Sequence, residues 1–188
     1  MGFQIEDGTG SGRTAGVDDE NRLEVIATVT PRIGEASKKH ASAYTWTAVS
    51  ADIDTGDTAL YVCNDSTTEN LYITSIYVWA DTAVQFKVHC PAYVTPAGGT
   101  VVVGVNLNRA SGLLATATSR ADETSNVFAA TNVITTVRNN EVGTDQFGQW
   151  IEYSGVLVLG YHGSVAVDLI GETAAFECTI VGYFHAIE

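Results

Sequence analysis

The sequence predicts an all-β protein: an antiparallel, jelly-roll-like sandwich over residues 21–188, carrying an extended N-terminal arm over residues 1–20. Three observations carry this expectation. Short runs of alternating apolar and polar residues, rich in Val, Ile, Thr and aromatics, recur from Tyr44 to Phe184, the composition of a pleated surface with one face covered. Turn residues, glycine above all, separate many of these runs closely enough for antiparallel hairpins and meanders. The opening follows neither pattern: Gly2, Gly8, Gly10, Gly12 and Gly16 punctuate it and Asp18-Asp19-Glu20 closes it.

With no apolar period, the arm cannot bury enough surface to offset its ordering entropy, and it is expected to order only against a partner. Leu23, Val25, Ala27 and Val29 then alternate toward a strand ending at Pro31. Residues 34–43 are polar and read as a loop, with a short helix as the alternative. Tyr44, Trp46 and Ala48 alternate with Thr45 and Thr47. Ala59 to Cys63 is a strand ending at the turn cluster Asn64-Asp65-Ser66. In Leu71 to Trp79 one face carries Leu71, Ile73, Tyr77 and Trp79, the other Tyr72, Thr74, Ile76 and Val78. Val84 to Cys90 alternates and stops at Pro91. After a turn at 95–99, Thr100 to Leu107 reads as one strand with Val101, Val103, Val105 and Leu107 as its apolar face.

Residues 108–149 are less regular, with a strand at Val133 to Val137 and a loop at Thr144 to Gly148. Such a long connection suits a Greek-key crossover better than an up-and-down barrel. Strands at Gly155 to Tyr161, Ser164 to Ile170 and Ala175 to Phe184 complete the set, with turns at His162-Gly163 and Gly171-Glu172.

The formal charge of −13 on 188 residues repels phosphate backbones and anionic lipid surfaces, so neither nucleic acid nor membrane is expected as a partner. A basic protein surface is the natural complement. The first twenty residues have the glycines and acids of an arm, not the basic and apolar stretches of a secretory leader. Cys63, Cys90 and Cys178 are odd in number with no recurring spacing, and are expected to be buried, reduced thiols.

Two stretches carry a resemblance. Residues 5–25, IEDGTGSGRTAGVDDENRLEV, with the step Asn21-Arg22-Leu23, resemble the N-terminal arms of small virion proteins of tailed bacteriophages; VNLNRASG at residues 105–112 resembles a segment that recurs in such chains. The resemblance implies a head decoration or cement protein that binds the major capsid protein on the outside of the head and stabilises it. It points to a homo-oligomer, a trimer, made in the host cytoplasm and ending on the virion. The arm residues Ile5, Glu6, Asp7, Arg13, Val17, Asp18, Asp19, Asn21, Arg22 and Leu23 are then the candidate capsid contacts. A receptor- or glycan-binding module of a tail or fibre is the alternative.

Catalysis is not expected. Of His40, His89, His162 and His185, only His89 adjoins a nucleophile, Cys90, and neighbouring strand residues point to opposite faces. Ser11, between Gly10 and Gly12, lacks the strand-to-helix setting of a nucleophile elbow. No cofactor is expected. Asp52, Asp54 and Asp57 form the one candidate calcium turn; its bland alternative is a solvated acidic turn. Trp46, Trp79, Trp150, Tyr153 and Tyr161 are available for a sugar platform if exposed. Asn64-Asp65-Ser66 also fits the N-glycosylation sequon.

Overall fold

The computed structural model describes residues 32–91, 96, 98–123, 132–138 and 148–187, with the backbone of three short strands at 5–6, 14–17 and 23–24. The chain divides into two compact units, Met1–Pro31 and Arg32–Glu188.

In the first unit β1 (Ile5–Glu6), β2 (Thr14–Val17) and β3 (Leu23–Glu24) form a small antiparallel sheet in the order β1-β2-β3. Ile5 lies opposite Ala15, and Val17 opposite Leu23. β3, beyond the arm boundary expected at Glu20, pairs with β2 inside this unit. Residues 25–31 of the strand expected up to Pro31 lie outside the described residues.

The second unit opens with α1 (Arg32–Glu35) running into a π-helical turn, Ala36–His40, where a polar loop or short helix was expected. Lys39 Nζ donates to Glu35 Oε1 at 2.8 Å across one turn. Ala41 ends it in the left-handed region at φ 51°.

Ten of the eleven strands that follow were anticipated in whole or part. They are β4 (Ala43–Ile53), β5 (Thr58–Asn64), β6 (Glu69–Ala80), β7 (Gln85–His89), β8 (Thr100–Val101), β9 (Val105–Asn106), β10 (Ala117–Glu123), β11 (Val133–Arg138), β12 (Gln149–Leu159), β13 (Ser164–Ile170) and β14 (Ala174–Ala186). One sheet runs β11-β7-β13-β5-β10-β8, the other β12-β6-β14-β4-β9, with antiparallel neighbours throughout. The fold class is the expected all-β sandwich. The run β11-β7-β13-β5 interleaves early and late strands, which an up-and-down meander does not do. Between the sheets lies a continuous apolar core that includes Trp46, Leu60, Val62, Ile73, Phe86, Val167, Phe176 and Ile180. Among the described residues no helix is long and apolar enough to cross a membrane.

Three elements depart from the sequence expectation. In β6 the buried side changes phase: Leu71 and Ile73 are buried, and so are Ile76, Val78 and Ala80. The cause is a bulge at Thr74, where Val181 of β14 faces Ser75 and the next residue, Gly182, faces Ile73. An extra residue in one strand of a ladder transfers later side chains to the opposite face. Thr74 Oγ1 donates to the Val181 carbonyl at 3.0 Å and fills the gap.

Thr100–Leu107 is not one strand. β8 pairs with β10 in the first sheet and β9 pairs with β4 in the second, so the chain crosses between sheets at residues 102–104. Gly104 passes over the Trp46 indole so closely that a Cβ there would lie 2.6 Å from Nε1. The expected apolar face is consequently turned outward: Val101, Val103, Val105 and Leu107 are all exposed, while Gly104 and Asn106 point in.

The third departure is β10, which sequence periodicity does not announce. Ala-Thr-Ser-Arg-Ala-Asp-Glu has little β propensity, but its ladder with β5 runs from Ala117 opposite Asn64 to Glu123 opposite Thr58. Tertiary pairing overrides local preference here.

Candidate functional site

The described residues expose fourteen large apolar side chains, and twelve of them gather at the two edges of the sandwich. At the β8/β9 edge are Val101, Val103, Val105 and Leu107, joined by Leu113 and Leu114 from the following loop and Val49 from β4. Val101 is 62% exposed, Val103 64% and Leu114 76%. At the opposite edge are Val133 and Ile134 of β11 with Trp150, Val156 and Val158 of β12. Exposed apolar side chains concentrated along sheet edges in this way mark a contact site more often than apolar residues scattered singly.

The local chemistry explains both edges. At the first, Gly104 lets the crossing chain lie against Trp46, and alternation sends the neighbouring valines out. Asn106 anchors the crossover from inside: its Nδ2 donates to the Ala41 carbonyl at 2.6 Å, and its Oδ1 accepts from Asn108 N at 2.8 Å. At the second edge, β12 breaks register against β6 between Glu152 and Leu157. Ser154 and Gly155 take φ of 50° and 77° there. Side-chain bonds close the two sheets at this edge: Tyr153 Oη to Thr135 Oγ1 at 3.1 Å, and Gln149 Nε2 to the Arg138 carbonyl at 3.2 Å.

The residues singled out by sequence fare differently. Ile5, Glu6, Val17 and Leu23 lie on the short strands of the first unit; Asp7, Arg13, Asp18, Asp19, Asn21 and Arg22 lie outside the described residues, as does Ser11. Asp52, Asp54 and Asp57 sit at the β4–β5 turn. There Asp54 Oδ1 accepts from Thr173 Oγ1 at 2.9 Å and the Asp54 carbonyl from Asp57 N at 3.1 Å. Among the described residues no three His, Cys, Asp or Glu side chains gather closely enough to hold a metal ion.

His89 and Cys90 face apart, as strand geometry requires. Cys90 packs against the intersheet core, whereas His89 is fully buried on the other side of its sheet, where Nε2 lies 2.6 Å from Asp168 Oδ2. The approach is close but off the ring N–H direction, and neither ring nitrogen completes a well-aligned hydrogen bond among the described residues. Thr58 Oγ1 donates to Asp168 Oδ1 at 2.8 Å. Hydroxyl and imidazole thus flank a central carboxylate. A nucleophile relay needs the imidazole in the middle, so this buried group is read as structural.

The thiols Cys63 and Cys178 are buried as expected, and Cys90 is half-buried; all three are unpaired. Burial pushes the Cys63 thiol up to about 11 and raises Cys178 and Cys90 as well, the environment of inert rather than reactive cysteines. Of the five aromatics, Trp46 is fully buried, Trp79 and Tyr153 are half-buried, and Trp150 and Tyr161 are exposed. Asn64, the sequon residue, is fully buried, and its Nδ2 donates to the carbonyls of Glu69 and Leu159, both at 2.9 Å. That nitrogen is committed to the fold and is not presented to a glycosylating enzyme.

A cavity of about 530 Å³ lies beside the π-helical turn. Arg32, His40 and His185 share its wall with Glu35 and Glu69, a lining of mixed sign. Comparison with family models, with curated proteins and with solved structures finds no match.

Proposed function

We propose that the chain is a structural virion protein of a tailed bacteriophage, a head decoration or cement protein that binds the shell of the major capsid protein and stabilises it. The observation that carries this reading is the pair of apolar edges. A subunit with contact surface on two opposite sides is built to sit among neighbours, and contact area rather than chemistry is what such a subunit supplies. The acidic charge of −13 fits a basic protein surface and repels DNA. The resemblance of residues 5–25 and 105–112 names the assembly, and the homo-oligomer, a trimer, is part of the same proposal.

Co-sedimentation of the purified protein with mature and with undecorated capsids tests it. Saturable binding to undecorated shells, with a higher rupture temperature for the decorated ones, is the expected result. Absence of binding to shells of the phage that encodes the chain would sink the reading. A tail or fibre glycan-binding role is the second reading. Its supporting observation is that Trp150 and Tyr161 are exposed, with Trp150 tilted against Tyr77 at 5.2 Å. Retention on host-surface glycans, lost in Trp150→Ala, would favour it.

A further inference from the structure

The β8/β9 edge has a shape as well as a composition. Val101 and Val103 form a crest with a groove on each side. One groove, about 320 Å³, runs between the crest and Leu114 and ends at Arg120. The other, about 340 Å³, runs between the crest and Val49 and ends at Asp122. The surface is therefore corrugated, three apolar crests separated by two hollows.

Charge says which partner this surface suits. Residues 91–119 contain a single charged side chain, Arg109, in a chain that carries −13 overall. Two copies of so acidic a protein repel each other over most of their surfaces. They can approach closely only through a face of low charge, and the crest of Val101 and Val103 with its Leu114 and Val49 neighbours carries none. The ends of the grooves go further, since one is basic and the other acidic. Asp122 has acidic company: burial, then repulsion from Asp52 and Asp54, raises its pKa. A cation brought from outside would relieve that repulsion.

We infer that a second copy of this chain covers the β8/β9 edge, crest into groove, bringing the Arg120 groove of one protomer against the Asp122 groove of the next. The inference rests on reading the chain as an assembly subunit, and it uses the edge of the sandwich opposite β11/β12. Crest and hollow alternate on one surface, which is the geometry a self-contact needs.

Sedimentation velocity on the full chain at tens of micromolar tests this. The wild type is expected at a multiple of 19.9 kDa. Val101→Asp with Val103→Asp should give the monomer, with an unchanged far-ultraviolet spectrum because both positions are exposed. Asp122→Arg alone should weaken association about tenfold, and Asp122→Arg combined with Arg120→Asp should recover it. A monomeric wild type, an unaltered mass for the doubly substituted crest, or no recovery in the charge swap would each overturn the inference. Shell binding is read separately. A monomer that still decorates capsids refutes this contact alone, whereas a self-associating protein that ignores capsids refutes the virion reading alone.

Discussion

Asn64 sits where β5 ends, β6 begins and β12 and β13 turn toward each other. Its Nδ2 serves the carbonyls of Glu69 and Leu159, and its Oδ1 accepts from Ser66 N at 2.9 Å. Its backbone closes the same corner: N donates to the Gly163 carbonyl at 2.9 Å and O accepts from His162 N at 2.8 Å. Removing the amide strands buried carbonyls as well as losing bonds, and an unmet buried polar group costs more than a bond contributes. Asn64→Ala should therefore destabilise by about 3 kcal/mol in urea unfolding. Asn64→Asp should be no better, since it keeps the acceptor but loses both donors. A loss within 0.5 kcal/mol, the range of an ordinary surface substitution, would show the corner is held without the side chain. Cys63 makes a second residue-scale test. Burial lifts its thiol from 9.0 to about 11, so the folded chain keeps a proton that the unfolded chain releases near pH 9. Its contribution to stability is full below pH 9 and is lost as pH rises toward 11. Urea midpoints should fall across that window, and the fall should be shallower in Cys63→Ala.

At the scale of elements, the crossover at residues 102–104 depends on the absence of one side chain. A Cβ at Gly104 would meet Trp46 Nε1 at 2.6 Å and Ala115 Cβ at 2.9 Å, and the indole is fully buried with nowhere to retreat. Gly104→Val should cost about 1–3 kcal/mol by overpacking, seen as a lowered melting temperature and altered tryptophan fluorescence; an unshifted melt would mean the crossover can move away. The same element shows what the sequence could reveal. Alternation in Val101–Leu107 correctly separates two faces, but it cannot say which face is covered. The clue lay in the residues between the valines: Gly104 and Asn106 are a glycine and an amide where a core strand would place bulk. β6 was legible as a strand and illegible in phase, because a bulge at Thr74 leaves no compositional mark. β10 was hidden because its ladder with β5, not its own residues, makes it a strand. The exposed Trp150 was singled out from sequence; Val156 and Val158 were not, since Leu157 and Leu159 beside them are equally apolar.

For the whole molecule, the division at Pro31 separates two units that each have their own antiparallel ladder. The sandwich of Arg32–Glu188 contains an intersheet core of its own among the described residues. Its cohesion is apolar burial between its two sheets. Residues 1–31 instead concentrate glycine and acid: five glycines precede Val17, and Asp18-Asp19-Glu20 follows it. Glycine-rich backbone is costly to fix, so a partner that holds this unit must supply hydrogen bonds, as strand addition does, together with basic groups for the three acids. Deleting residues 2–31 should then leave the melting temperature of the sandwich within a few degrees of the full chain, while attachment to capsids weakens sharply. Salt separates this contact from the self-contact at the β8/β9 edge. Exposed ion pairs between the acids and a basic shell are screened as ionic strength rises, so capsid binding by the full chain should weaken in molar salt. The apolar self-contact should hold or tighten under the same conditions, because screening also removes the repulsion between two acidic copies. If the truncated protein occupied shells as fully as the intact one, the anchor would have to be the β11/β12 edge, and Val156→Asp would become the variant that releases it.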